Sequence, residues 1–255
     1  MLPLEIVDHI FTFLEDDPLT LQKCLECCPE LSKFVERHLY ANVTIYSNTM
    51  PVWVVERLLY SPHLANYVRS LTIQIVPRLS FNRYMAMAAV LKLALQKKLP
   101  HLEKVCLAST YTGPGILWRD IQKNMRAVFL TFLRLPTLRE VSIWNIIDFP
   151  LSEFDKRPNI TRLLLRGDFF YSDPQVQPPY PQLDFLSLES CPPDIIPWVR
   201  SRTPRSLDFR ADDPDRFQQL LQACFNTLIR LNVDLDHTNC RLFFLYLWTS
   251  NIEIL

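Results

Sequence analysis

One short apolar frame recurs from Val68 to the last residue, and it constrains the fold more than any other feature. Its core is an apolar-x-apolar triplet: Leu71-x-Ile73, Val105-x-Leu107, Val141-x-Ile143, Leu163-x-Leu165, Leu186-x-Leu188, Leu207-x-Phe209 and Leu231-x-Val233. The first positions of successive triplets lie 34, 36, 22, 23, 21 and 24 residues apart. A further apolar residue stands three places ahead of most cores, at Val68, Leu102, Leu138, Ile160, Leu183 and Leu228; the sixth unit has Pro204 there. Ile252 and Leu255 begin an eighth unit, inside which the chain stops. Either more chain follows, or Leu255 closes the sheet by an unusual edge.

Alternation within the triplet puts its first and third residues on one face of a short strand. Between the triplets the spacing changes to that of helices. Ser80 caps a run with Phe81, Tyr84, Met85, Ala88, Leu91 and Leu95 on one face. Leu117, Ile121, Val128, Phe132 and Leu135 make a second, and Asp213-Pro214 opens a third carrying Phe217, Leu220, Leu221 and Cys224. Pro100, Pro136, Asn159 and Pro181 punctuate the helix-to-strand turns, because a residue before proline leaves the helical region.

Strand and helix alternating in register predict an α/β fold: a leucine-rich-repeat-like solenoid with a parallel sheet on the concave face and helices outside. The last four spacings fall in the leucine-rich-repeat range, and the first two are units with longer helices. The fifth place after each core's first residue is expected to satisfy backbone groups where the chain leaves the strand. It is Thr110, Ile146, Asp168, Cys191, Asp212 and Asp236, with three aspartates where that family prefers asparagine, so the repeat is degenerate.

Composition narrows the function. Three glycines beside 20 prolines give little material for phosphate-cradling loops. Lys+Arg 27 against Asp+Glu 27 leaves no cationic surplus for nucleic acid. The first fourteen residues carry Glu5 and Asp8 without a basic stretch, unlike a secretory signal, and no apolar run approaches a membrane span. Seven irregularly spaced cysteines therefore read as reduced thiols of cytoplasm or nucleus. Cys24-x-x-Cys27-Cys28 and His237-x-x-Cys240 lack a second ligand pair at zinc spacing. Gly113-Pro114-Gly115 lacks a following Gly-Lys-Ser/Thr, and no serine stands in G-x-S-x-G form. The expectation is a non-enzyme without metal or cofactor.

Ahead of the repeat, Pro3, Pro18 behind Asp17, and Pro29 mark three helix starts. Ile6, Ile10, Phe13 and Leu14 fall on one stripe of the first helix, with Val7 and Phe11 beside it; Leu31, Phe34, Val35 and Leu39 line the third, with Lys33, Glu36 and Arg37 facing away. Residues 1–46 are thus a helical unit, and 47–255 the solenoid. Leu2-Pro3, Glu5-Ile6, Ile10, Leu14, Asp17-Pro18, Leu21, Cys24, Cys28, His38-Leu39 and Val43-Thr44-Ile45 together resemble an F-box of fungal type. The chain departs from that pattern at Leu31, where tryptophan is usual, and at Pro29, where a basic residue is common.

The resemblance implies docking onto a Skp-type adaptor, and through it a cullin, by Leu2, Pro3, Glu5, Ile6, Ile10, Leu14, Leu21, Cys24, Cys28 and Leu31. It implies a substrate receptor of a ubiquitin ligase, recruiting a protein target that the sequence does not identify. The alternative is a free-standing interaction scaffold whose N-terminal helices only cap the solenoid. In either case the residues between and beside the core positions face the concave side. Among them Trp144, Leu164 and Phe185 make an aromatic and apolar cluster rimmed by Arg162, Arg166 and Arg210, the composition of a partner-binding hot spot.

Overall fold

The structure, a computed structural model, describes residues 3–15, 17–27, 29–46, 57–75, 99–109, 115–155, 157–167, 169–170, 182–190, 195–211, 214–224, 226–235 and 253–254. It is a mixed α/β fold built on one parallel sheet. Among the described residues, nine strands follow each other across the sheet in chain order: β1 (Asn42–Tyr46), β2 (Ser70–Ile75), β3 (Lys104–Ser109), β5 (Glu140–Trp144), β8 (Arg162–Arg166), β10 (Phe185–Glu189), β11 (Ser206–Ala211), β12 (Arg230–Leu235) and β13 (Glu253–Ile254). Two small parallel pairs flank it, β4 (Ile116–Leu117) with β6 (Ile146–Ile147), and β7 (Phe149–Pro150) with β9 (Phe169–Phe170).

The apolar frame sets the register. Leu71, Val105, Val141, Leu163, Leu186, Leu207 and Leu231 stand opposite one another on successive strands, and none is more than 1% exposed. The third triplet positions make a second buried row from Ile73 to Phe209, continued by half-buried Val233. Val68, Leu102, Leu138, Ile160, Leu183 and Leu228 close the same core from the strand entrances. Each fully buried leucine contributes about 2 kcal/mol, and a one-residue slip would turn both rows outward, so the register is strongly specified.

Helices cover this buried face. α5 (Lys123–Phe132) contributes Met125, Val128, Phe129 and Phe132, and α6 (Ile196–Arg202) contributes Ile196, Trp198 and Val199. α7 (Pro214–Cys224) adds Leu220 and Cys224, and the short α4 (Pro62–Ala65) adds Leu64 and Ala65.

Four details differ from the sequence-based expectation. First, Val43 and Ile45 pair with Leu71 and Ile73, so the sheet takes its first strand from within residues 1–46. Second, β13 puts Ile254 opposite Leu231, one residue before the expected Leu255. Third, the helix expected from Leu117 starts only at Lys123. Ile116 and Leu117 pair with β6 instead, and Trp118 stacks edge-on against Phe149, its ring centroid 4.8 Å away. Fourth, the strand-exit turn sits one place earlier than expected, as a left-handed residue four after the core's first position: Asn145 (φ 55), Gly167 (φ 121) and Ser190 (φ 54). Asparagine and glycine tolerate that backbone best. Ile146 is consequently buried in β6 rather than turning the chain. Thr110, Asp168, Cys191, Asp212 and Asp236, together with the helix expected from Ser80, lie outside the described residues.

At the N-terminus come α1 (Leu4–Thr12), α2 (Pro18–Cys27), a 3-10 turn (Pro29–Leu31) and α3 (Ser32–Leu39). Asp17 caps α2, accepting from the Thr20 backbone N–H at 3.1 Å and from the Thr20 hydroxyl at 2.6 Å. Pro29 opens the 3-10 turn, and α3 follows from Ser32. Phe11, Leu21 and Val35 form a small core of their own, with Val7, Leu14, Cys24, Leu25, Leu31 and Phe34 packed on it. Leu39 packs on both this core and the main one, where Tyr40 is buried.

Candidate functional site

The face of the sheet turned away from the helices carries the residues between and beside the core positions. Parallel pairing without offset lines them up in three rows. The first runs Lys104, Glu140, Arg162, Phe185 and Ser206; the second Cys106, Ser142, Leu164, Ser187 and Asp208; the third Ala108, Trp144, Arg166, Glu189 and Arg210. Trp144, Leu164 and Phe185 thus lie on three adjacent strands, one per row, making a diagonal across the face. Strand spacing and rise put each diagonal step at about 8 Å, so Leu164 lies between the other two. Trp144 is 43% exposed, and Leu164 and Phe185 are half-buried.

The arginines are arranged differently from a simple rim. Arg162 lies over the Phe185 ring, 4.7 Å from its centroid, and its Nε donates to Glu140 Oε2 at 2.9 Å. Lys104 reaches the same carboxylate oxygen at 3.7 Å. Arg166 and Arg210 both meet Glu189 Oε1, at 3.4 and 3.7 Å. Glu140 and Glu189 therefore belong to the site: strand alternation puts both on the same face as the arginines, but does not show that they pair with them. Their signal was in the register: each occupies the same strand position as the arginine it meets, one strand away.

About Leu164 the pattern repeats after a half-turn. Arg162 has Glu140 on β5 and Phe185 on β10, whereas Arg166 has Trp144 on β5 and Glu189 on β10. Ser142 and Ser187 flank Leu164 itself. In the next row position, Asp208 accepts from Ser187 and from the Asn232 amide, both at 3.3 Å. Burial pushes the Cys106 thiol on this face up to about 12, so it stays protonated at neutral pH and is a weak nucleophile.

A second exposed apolar surface lies at the N-terminus. Ile6 and Ile10 on α1, Phe13 just after it and Leu19 on α2 are all exposed, and Pro3 and Glu5 lie beside them. The stripe expected on α1 is therefore split. Phe11 is the buried member, Val7 and Leu14 lean on the small core, and Ile6, Ile10 and Phe13 face out. Leu21, expected at the adaptor surface, is completely buried, and Leu14, Cys24 and Leu31 also pack inward. Leu2 and Cys28 lie outside the described residues.

His38 fixes the other side of α1. It is buried, with Nδ1 2.7 Å from Glu15 Oε1 and Nε2 2.9 Å from Asp8 Oδ1, and Arg37 reaches Asp8 at 3.6 Å. The exposed face of α1 is thereby held in a fixed orientation on α3. Among the described residues, no group of three or more His, Cys, Asp or Glu side chains is placed to hold a metal. Among the same residues no helix is long and apolar enough to cross a membrane.

Among the described residues, fold and site define a mixed α/β chain with a parallel sheet and with exposed apolar side chains on its open face and on the N-terminal helices. No protein-family model matches the sequence, and no curated protein matches it. Among solved structures it is similar to an internalin C2 from Listeria monocytogenes, with 12% identity and a TM-score of 0.38 over 88% of this chain and 83% of that one. A likeness of that size carries no argument about function.

Proposed function

We propose that this chain is the substrate-receptor subunit of a Skp–cullin–F-box ubiquitin ligase, with an F-box-like N-terminal unit and a leucine-rich-repeat-like solenoid. The observation that carries this reading is the outward strip Ile6, Ile10 and Phe13 along α1, with Leu19 also exposed on α2, on helices whose other faces are already packed. Large apolar side chains gathered on so small a unit mark a binding face. The adaptor covers that strip, and the open face of the sheet holds the target. The chain performs no bond chemistry. It raises the local concentration of a target lysine near the charged conjugating enzyme.

A second reading is supported by Leu39 and Tyr40, through which the helical unit packs onto the sheet. On that reading the unit is only a cap, and the chain is a free-standing interaction scaffold. Co-precipitation of the full chain with a purified Skp-type adaptor separates the two. The receptor reading expects a complex at micromolar concentration; absence of one at that concentration supports the scaffold.

A further inference from the structure

β8 presents Arg162, Leu164 and Arg166 on the open face, alternate residues about 6.6 Å apart along the strand. Both guanidinium groups meet their glutamates through Nε, so the terminal nitrogens of each fork are the donors that a further carboxylate would take. Lys104 and Arg162 share the one carboxylate of Glu140, two cations against one anion. The glutamates hold the arginines in place, which lowers the ordering cost of binding. Leu164 lies between the two arginines, with Trp144 and Phe185 as walls on opposite sides.

We propose that this face binds an extended acidic peptide segment with the spacing acid-x-apolar-x-acid. The two acids lie over Arg162 and Arg166, and the apolar side chain between them lies over Leu164 and is flanked by Trp144 and Phe185. The match is metric as well as chemical. An extended chain has the same rise per residue as β8 and sends alternate side chains to one side, so three of its side chains fall on the three of β8. This inference rests on the reading of the open face as a protein-binding surface, and it adds the chemistry of the partner.

The test is selection of a displayed library of random short peptides on the full chain, followed by titration of synthetic winners by fluorescence anisotropy. The expected winners carry acid-x-apolar-x-acid. Changing either acid to its amide should weaken binding roughly tenfold, and Arg162→Gln or Arg166→Gln should weaken it equally. In those variants the amide peptide should bind no worse than the acid one at the facing position. Affinity should also fall as salt rises. Winners indifferent to moving the second acid by one residue would overturn the proposal. Winners of another motif that lose affinity in Trp144→Ser would overturn it while leaving the face a protein-binding surface. A selection yielding no peptide bound at this face would contradict both.

Discussion

Arg202 on α6 and Asp155, at the end of the short turn after β7, form an ion pair sealed inside the core, where their side chains are 2% and 0% exposed. The Trp198 indole N–H also donates to Asp155, at 3.4 Å, and its ring lies beneath the Arg202 guanidinium. Two repeat units are thereby joined by charge under the sheet rather than by apolar packing alone.

Removing one partner strands the other charge in a medium that cannot solvate it. Arg202→Met or Asp155→Leu alone should each cost about 3–5 kcal/mol, while the double variant should recover much of that loss. Chemical denaturation of the four proteins measures the coupling, and additive losses would show that the pair acts as two independent residues.

Asp17 makes stability depend on acid. Hydrogen bonds, first from the Thr20 side chain and then from its backbone N–H, hold the carboxyl below the usual carboxylate range. Its folded pKa is thus below its unfolded one, so its contribution is present at neutral pH and is lost as pH falls through the folded pKa. Melting curves of wild type and Asp17→Asn across the acidic range should converge at low pH. A difference that persists there would contradict the capping role.

Thiol reactivity should separate by burial. Cys224 is buried in the main core, and burial pushes its thiol up to about 12, as it does for Cys106. Among the described cysteines, exposed Cys27 should be alkylated first in the native protein, with Cys106 and Cys224 following only on unfolding. Peptide mapping after timed alkylation reads the order directly.

Gly167 leaves β8 at φ 121, a backbone that side chains rarely adopt. Gly167→Ala should therefore destabilise the fold by roughly 1–3 kcal/mol, although its new methyl would meet neighbours only at ordinary contact distance, 3.7 Å from Asn145. A variant as stable as wild type would show that the turn relaxes.

Much of this architecture was legible before any coordinates, for a physical reason. From Val68 to Leu231 the same buried places repeat in every unit, so each triplet predicts its neighbours and register follows from alignment. β1 was hidden because Val43 and Ile45 directly follow a helical unit that explains them locally, although Tyr40-x-x-Val43-x-Ile45 carries the same apolar frame, 28 residues ahead of Leu71. Ile254 was misplaced by one residue because Ile252, Ile254 and Leu255 offer alternative apolar frames. At the site, alternation identified the outward residues Trp144, Leu164 and Phe185. The charge pattern was not legible from cations alone, since Glu140 and Glu189 reach their arginines across strands more than twenty residues apart in sequence. On α1, periodicity marked one broad apolar stripe, and only packing shows that Phe11 takes the inside and Ile10 the outside.

Ile10 is the residue on which the receptor account turns, because it is 45% exposed on a helix already packed on its other side. The most direct measurement is adaptor affinity of Ile10→Asp set beside its melting curve. In a desolvated interface the new charge should cost about 2–5 kcal/mol, weakening adaptor binding by roughly one to three orders of magnitude, with melting close to wild type. Unchanged adaptor affinity, or a collapse of the melting temperature, would contradict the account.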